Sequence, residues 1–231
     1  MQRILVLNPK GGSGKTTVAT NLASYFASLG DRPLLSDNDP QGSSTRWLKK
    51  RKAEQAFIHG IAAFERNSRM TRAWQMRIPP DAAHIVVDTP AAVLAQDMPE
   101  MTKSADVIIV PVLPSDIDIH AFSKCIADLL LIAKVRRDEN RIGVVANRVK
   151  RNTLVYQSLM RFLETLRIPV IATLRDSQNY LRAAEQGVGL HEMKKHLVEQ
   201  DLADWEPLLG WLRAKEASSP PQSINPLQES A

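Results

Sequence analysis

Ten consecutive residues, Asn8-Pro9-Lys10-Gly11-Gly12-Ser13-Gly14-Lys15-Thr16-Thr17, concentrate more chemistry than any other stretch of this chain. Three glycines in that run let the backbone turn tightly and crowd N–H groups around one anion. An apolar run, Ile4 to Leu7, precedes the turn and a helix-forming stretch begins near Lys15. A helix N-terminus therefore adds its partial positive charge behind the turn. This is the context of a phosphate-binding loop, in which Gly11, Gly12, Ser13, Gly14 and Thr17 cradle phosphate oxygens. Lys15 then sits on the β- and γ-phosphates and Thr16 offers its hydroxyl to Mg²⁺. The usual pattern has glycine where Pro9 stands, and the departure comes with a second lysine, Lys10, on the opposite shoulder.

Two other segments place acids at the ends of strand-like runs. The first is Ser36-Asp37-Asn38-Asp39-Pro40-Gln41-Gly42. Carboxylates at a spacing of two leave one face of an extended chain together, and Pro40 then stops the strand. In a phosphate site one such acid positions or activates the attacking water, while another organises Mg²⁺ and its waters. The second segment, Ile85-Val86-Val87-Asp88-Thr89-Pro90, is an apolar run closed by an acid, as in a Mg²⁺-supporting strand end. Alone, each acid reads as a helix cap or turn residue. In company with the loop, Asp37, Asp39 and Asp88 read as functional.

The elements that must hold these residues follow from periodicity. Strands are expected at Arg3–Leu7, Arg32–Ser36, His84–Val87, Val107–Val112, Ile142–Ala146 and Pro169–Ala172, with helices filling most of the gaps. Repeated strand–helix units imply an α/β fold, a mostly parallel twisted sheet flanked by helices on both faces, with ligands at the carboxyl ends of the strands. Residues 46 to 77 lack strand signals and read as two helices flanking a loop near His59-Gly60. Length, 44% hydrophobic and 24% charged residues fit a single domain over residues 1–217. Residues 218–231, rich in Ser, Pro, Gln and Asn, read as a disordered polar tail. One cysteine, Cys125, excludes an internal disulfide and suits a reducing cytoplasm. No apolar run approaches the about 20 residues of a membrane span. The histidines lack metal-ligand spacing, which leaves Mg²⁺ as the expected metal.

Taken together, Asn8 to Thr17, the string Asp37-Asn38-Asp39-Pro40-Gln41-Gly42 and Val87-Asp88-Thr89-Pro90 resemble the ParA/MinD family of deviant Walker ATPases, closest to short ParA proteins of the ParF kind. The likeness continues through Pro111 to Asp118, Asn147-Arg148 and Leu174-Arg175-Asp176, and spans about residues 2 to 215. It implies an Mg²⁺-dependent ATPase that forms a homodimer with ATP sandwiched at the interface. Such a dimer binds DNA without sequence preference, on the nucleoid of a bacterial cytoplasm, and leaves it when an adaptor or ParB-like protein stimulates hydrolysis. The cargo so positioned or partitioned is a plasmid, a chromosome region or a protein organelle such as a carboxysome. Lys10 matches the family's signature lysine, whose ammonium crosses to the phosphates in a second subunit. Asp39 matches the carboxylate needed for hydrolysis. Asn147 matches the position where a side-chain amide meets adenine.

Partner surfaces are less defined. One basic neighbourhood is Arg46, Lys49, Lys50, Arg51 and Lys52, continued by Arg66, Arg69, Arg72 and Arg77, and reads as a solvated face. The other, Arg175, Arg182, Lys194 and Lys195, resembles the late region where ParA proteins carry DNA-contacting arginines. Arg175 and Arg182 have no acids at helical spacing except Asp176 and Glu185. A pI near 9.4 agrees with an anionic partner. Trp47 reads as a packing residue that could stack near the nucleotide. Two rival readings remain: a MinD-like membrane-associated ATPase using the amphipathic stretch Asp201 to Glu216, and a metabolic phosphotransferase. The acids Asp201, Asp204, Glu206 and Glu216 in that stretch argue against a membrane.

Overall fold

The computed structural model describes residues 1–65 and 77–218. Arg66, Arg69 and Arg72, and the polar tail beyond Ser218, lie outside the described residues. Strands β1 (Gln2–Val6), β2 (Leu34–Asp37), β3 (His59–Ala62), β4 (His84–Asp88), β5 (Val107–Val112), β6 (Ile142–Val149) and β7 (Val170–Arg175) form one sheet. Its order is β3-β2-β4-β1-β5-β6-β7 and every pairing is parallel. The β-branched runs of β1, β4 and β5 are buried on both faces, as a parallel sheet under two helix layers requires.

Helices α1 (Lys15–Ser28), α2 (Ser43–Lys49), α6 (Asn179–Gln186) and α7 (Lys195–Ser218) lie on one side of the sheet. Helices α3 (Met98–Lys103), α4 (Asp116–Leu131) and α5 (Leu154–Leu166) lie on the other. The first layer closes over a core holding Leu22, Phe26, Trp47 and Trp205, the second over one holding Met98, Phe122 and Leu163. Cys125 is buried in this second core, where burial pushes its thiol up to about 12, so it packs as an apolar residue.

The segment around His59 departs from expectation: His59–Ala62 is an edge strand paired only with β2, not a helix-flanking loop. Its four residues are mostly half-exposed and include Gly60, so neither alternation nor an apolar run announces it. A Cβ on Gly60 would lie 2.7 Å from the Leu48 Cδ1 methyl on α2, so a larger residue there would push that side chain aside.

Chain order places the ligating loops together. β1 and β4 are neighbours, with Val6 opposite Asp88, and β2 pairs with β4 so that Asp37 also stands opposite Asp88. The turn after β1 and the acids after β2 and β4 therefore meet above one end of the sheet.

Candidate functional site

The turn between β1 and α1 is held from both shoulders. Asn8 donates its side-chain amide to the Pro111 carbonyl at 2.7 Å and accepts from the Lys10 N–H at 2.9 Å. On the other shoulder Asn147 donates its amide to the Ser13 carbonyl at 2.9 Å. Gly14 has φ +97°, and a Cβ on it would lie 2.1 Å from that same amide nitrogen, so both conformation and space demand glycine. Helix α1 starts with no side-chain cap, which leaves its first N–H groups directed at the turn.

Lys15, the first residue of α1, is buried and donates from Nζ to the Lys10 carbonyl at 3.3 Å. Burial lowers its pKa, opposed by the charges of Asp88 and Asp39, so both acids act on this ammonium. Lys10 is half-buried on the outer shoulder, and its ammonium forms no ion pair among the described residues. A cavity of about 260 Å³ opens above the loop, walled by Lys15, Thr16, Thr17, Asp39, Ala91 and Arg148 among others. A second cavity of about 440 Å³ adjoins it between α1, α2 and α6 and shares Thr16, Thr17 and Ser43.

The acids divide differently from the sequence expectation. Asp37, still within β2, is buried and accepts backbone N–H groups from Asp39 at 3.1 Å and Thr45 at 2.7 Å. It shapes the turn that leads into α2. Asp39, past the strand end, is half-buried, accepts from the Gln41 N–H at 2.9 Å and lines the cavity. The two carboxylates thus do not share one extended face, because the chain leaves strand geometry after Asp37. Asp88 is fully buried; Ser44 donates its hydroxyl to Oδ2 at 2.7 Å, while Oδ1 has no hydrogen-bond partner among the described residues. Burial pushes the Asp88 carboxyl up to about 6, against the lowering pull of the Ser44 and nearby Thr16 hydroxyls and of Lys15. An orphaned carboxylate oxygen beside a threonine hydroxyl is a donor set suited to a hard divalent cation and its waters. Thr16 and Asp88 present such a set, and Asp39 lines the cavity that Thr16 also lines. Ser44 has no loop-like motif to mark it; only the tertiary approach of α2 to β4 exposes its role.

Other expected site residues are engaged elsewhere. The Asn147 amide, expected to face adenine, is spent on the Ser13 carbonyl and on the Arg148 N–H, which donates to its oxygen at 3.0 Å. Trp47 is buried and donates its indole N–H to the Val188 carbonyl, under the Arg51 guanidinium. It packs rather than stacks on a ligand. Arg51 leaves the solvated face altogether and pairs with Glu192 at 2.6 Å, both side chains largely buried. Arg175 has a carboxylate partner after all: Asp201 of α7, fully buried, takes its Nε and Nη2 at 2.5 and 3.0 Å. That partner stands 26 positions along the chain, beyond any local spacing. Arg182 on α6 is exposed, with a weak contact to the Asn179 oxygen at 3.4 Å.

The comparisons with known proteins bear on the fold and the family. A protein named "Maintenance of carboxysome distribution protein A" from Halothiobacillus neapolitanus is 26% identical over 196 residues, covering 82% of this chain and 87% of its own. Among solved structures, a putative plasmid partition protein from Borrelia burgdorferi bound to AMPPNP superposes with a TM-score of 0.64 at 15% identity, covering 91% of this chain and 99% of its own. The structure of pNOB8 ParA bound to nonspecific DNA superposes at 0.51 with 20% identity, covering 71% and 74%. At these identities the structural likenesses establish the fold. The family described as the CobQ/CobB/MinD/ParA nucleotide binding domain matches residues 4–190, which include the loop, both acids and Asn147. The chain belongs to that family.

Proposed function

We propose that this protein is an ATP-dependent dimeric switch that positions or partitions a cargo, hydrolysing ATP to ADP and phosphate. The observation that carries the reading is the pair of lysines on one turn, Lys15 buried beneath the cavity and Lys10 on the outer shoulder without an ion pair among the described residues, with Asp39 on the cavity wall. Lys15 and the α1 N-terminus bind and orient the polyphosphate. Lys10, on its long flexible stem, reaches outward to the phosphates held by a second copy, which makes the nucleotide part of the dimer contact. Asp39 positions the attacking water and accepts its proton. Thr16, Asp39 and Asp88 would hold Mg²⁺, which when bound neutralises charge on the β- and γ-phosphates.

Binding of non-specific DNA by the ATP dimer, with release triggered by an adaptor or ParB-like protein, completes the reading. The DNA binding is supported by the net charge of +5, and the positioning of a cargo by the relative whose name concerns carboxysome distribution. The MinD-like membrane reading loses its surface: Trp205, Leu208, Leu209 and Leu212 of α7 face the core. Among the described residues no helix is long and apolar enough to cross a membrane. The test is light scattering of the protein with Mg²⁺ and either ATP or ADP, followed by co-sedimentation with anionic liposomes. A dimer with ATP alone and no liposome binding is expected. A monomer with both nucleotides, or pelleting with liposomes, overturns the reading.

A further inference from the structure

Strand β6 does not end regularly. Ala146 is opposite Thr173 and Val149 is opposite Arg175, so Asn147 and Arg148 together stand against the single residue Leu174. This is a bulge in a parallel pair, an uncommon place for one. Arg148 takes the irregular backbone, with φ +50°, a left-handed conformation that a residue with a side chain adopts only at a cost. The Asn147 carbonyl-type oxygen accepts the Arg148 N–H at 3.0 Å and the Asn147 amide grips Ser13, so the bulge is locked to the phosphate loop.

The bulge sets Arg148 on the wall of the 260 Å³ cavity, alongside Lys15, Thr16 and Asp39. Its guanidinium is exposed and forms no ion pair or hydrogen bond among the described residues. Two arginines with partly buried side chains, by contrast, are paired, Arg51 with Glu192 and Arg175 with Asp201. Two cations, Lys15 and Arg148, thus line one cavity; Lys15 has Asp88 and Asp39 acting on it, whereas the guanidinium of Arg148 has no carboxylate partner among the described residues. A polyanion in the cavity would supply the missing partner.

We propose that Arg148 is a nucleotide-binding residue: its guanidinium pairs with the polyphosphate from the side opposite Lys15, and the bulge exists to aim it there. This rests on the reading of the cavity as an ATP site. A guanidinium presents several N–H donors in a planar fork, suited to two phosphate oxygens at once. Asn147 is the positioning residue that holds the bulge.

The test is a titration of fluorescent ATP and ADP analogues, with Mg²⁺, against the wild type, Arg148→Gly and Arg148→Lys, beside thermal melts without nucleotide. Glycine tolerates the left-handed backbone, so Arg148→Gly is expected to melt at or above the wild-type temperature. Its affinity for both nucleotides should fall about tenfold, the worth of a charged hydrogen bond. Arg148→Lys, which keeps the charge, should recover most of that loss. Wild-type affinity in Arg148→Gly, a lowered melting temperature without ligand, or a lysine variant as weak as glycine each overturns the proposal. A wild type that binds neither analogue overturns the ATP reading and this proposal together, whereas tight wild-type binding with an unaffected glycine variant overturns the role of Arg148 alone.

Discussion

Lys10 and Lys15 leave the same turn into different surroundings, and the difference predicts different phenotypes. Lys15 is buried at the start of α1, directly under the cavity, so Lys15→Ala removes charged contacts to phosphate and should weaken ATP and ADP alike by at least about tenfold, measurable by calorimetry. Lys10 is half-buried and its ammonium has no ion pair among the described residues, so Lys10→Ala should keep most of that affinity and lose the ATP-dependent dimer in light scattering. A Lys10→Ala protein that still dimerises with ATP refutes the interfacial role. Asp39 stands past the strand end with one oxygen on the Gln41 N–H. Asp39→Ala should bind ATP normally while its turnover falls about 10²- to 10⁴-fold, the usual worth of a general base; parental phosphate release would remove the assignment. These residues are legible in the sequence because a phosphate loop is a local object, readable from spacing alone. Arg148 and Ser44 are not legible in that way, since a bulge register and a helix approach arise only when the strands pair.

At the scale of elements, the seven-residue helix α2 ties the buried acids Asp37 and Asp88 to the far side of α1. Its N-terminal end carries Ser44 on Asp88 and the Thr45 N–H on Asp37. Beyond its C-terminal end, Lys50 donates to the Ala184 carbonyl at 3.0 Å, and Arg51 to the Gly187 carbonyl and both Glu192 oxygens. Gly187 is obligatory there, having φ +67° and room for no Cβ within 2.8 Å of the Lys50–Arg51 backbone. Glu192 is the centre of the brace. Burial raises its pKa, but the hydrogen bonds from Arg51, the Gly189 N–H and Ser24 outweigh this and leave it below the ordinary glutamate value. A depressed carboxylate pKa adds stability that is full above the unfolded value of about 4.5 and is lost as pH falls through the folded one. Glu192→Gln should therefore be destabilised by about 3 kcal/mol at pH 7, with the gap to wild type closing below pH about 4.5 in denaturant melts. A gap independent of pH would show that the charge is not what holds the brace. Neither this brace nor strand β3 can be read from the sequence. Both depend on partners far along the chain, whereas the helices and the apolar strands announce themselves by period.

For the whole molecule, the question is which cations remain available once the fold has used the rest. Arg51 and Arg175 are committed to Glu192 and Asp201, and Arg136, Arg141 and Arg213 to surface carboxylates. Arg182, Lys194 and Lys195 are exposed and make no ion pairs among the described residues, and the chain carries a net charge of +5. Arg175 and Arg182 should consequently behave differently. Arg175→Ala removes the charged partner of the buried Asp201 carboxylate, leaving it the Asn179 amide and the Ser177 hydroxyl, and should cost about 3 kcal/mol of stability, a structural effect visible in thermal melts. Arg182→Glu should leave the melt unchanged and weaken DNA. Dimerisation doubles whatever basic surface one copy presents, turning weak phosphate contacts into useful affinity. Binding to random duplexes should therefore require ATP, ignore sequence, and fall with salt at about 0.9 log units per phosphate contact for each log unit of salt. Fluorescence anisotropy with ATP, across several duplex sequences and salt concentrations, reads all three. Arg182→Glu is expected to lower affinity on every duplex equally and to make the salt slope shallower. An unchanged slope in that variant would move the DNA-facing surface away from α6, to cations elsewhere on the dimer.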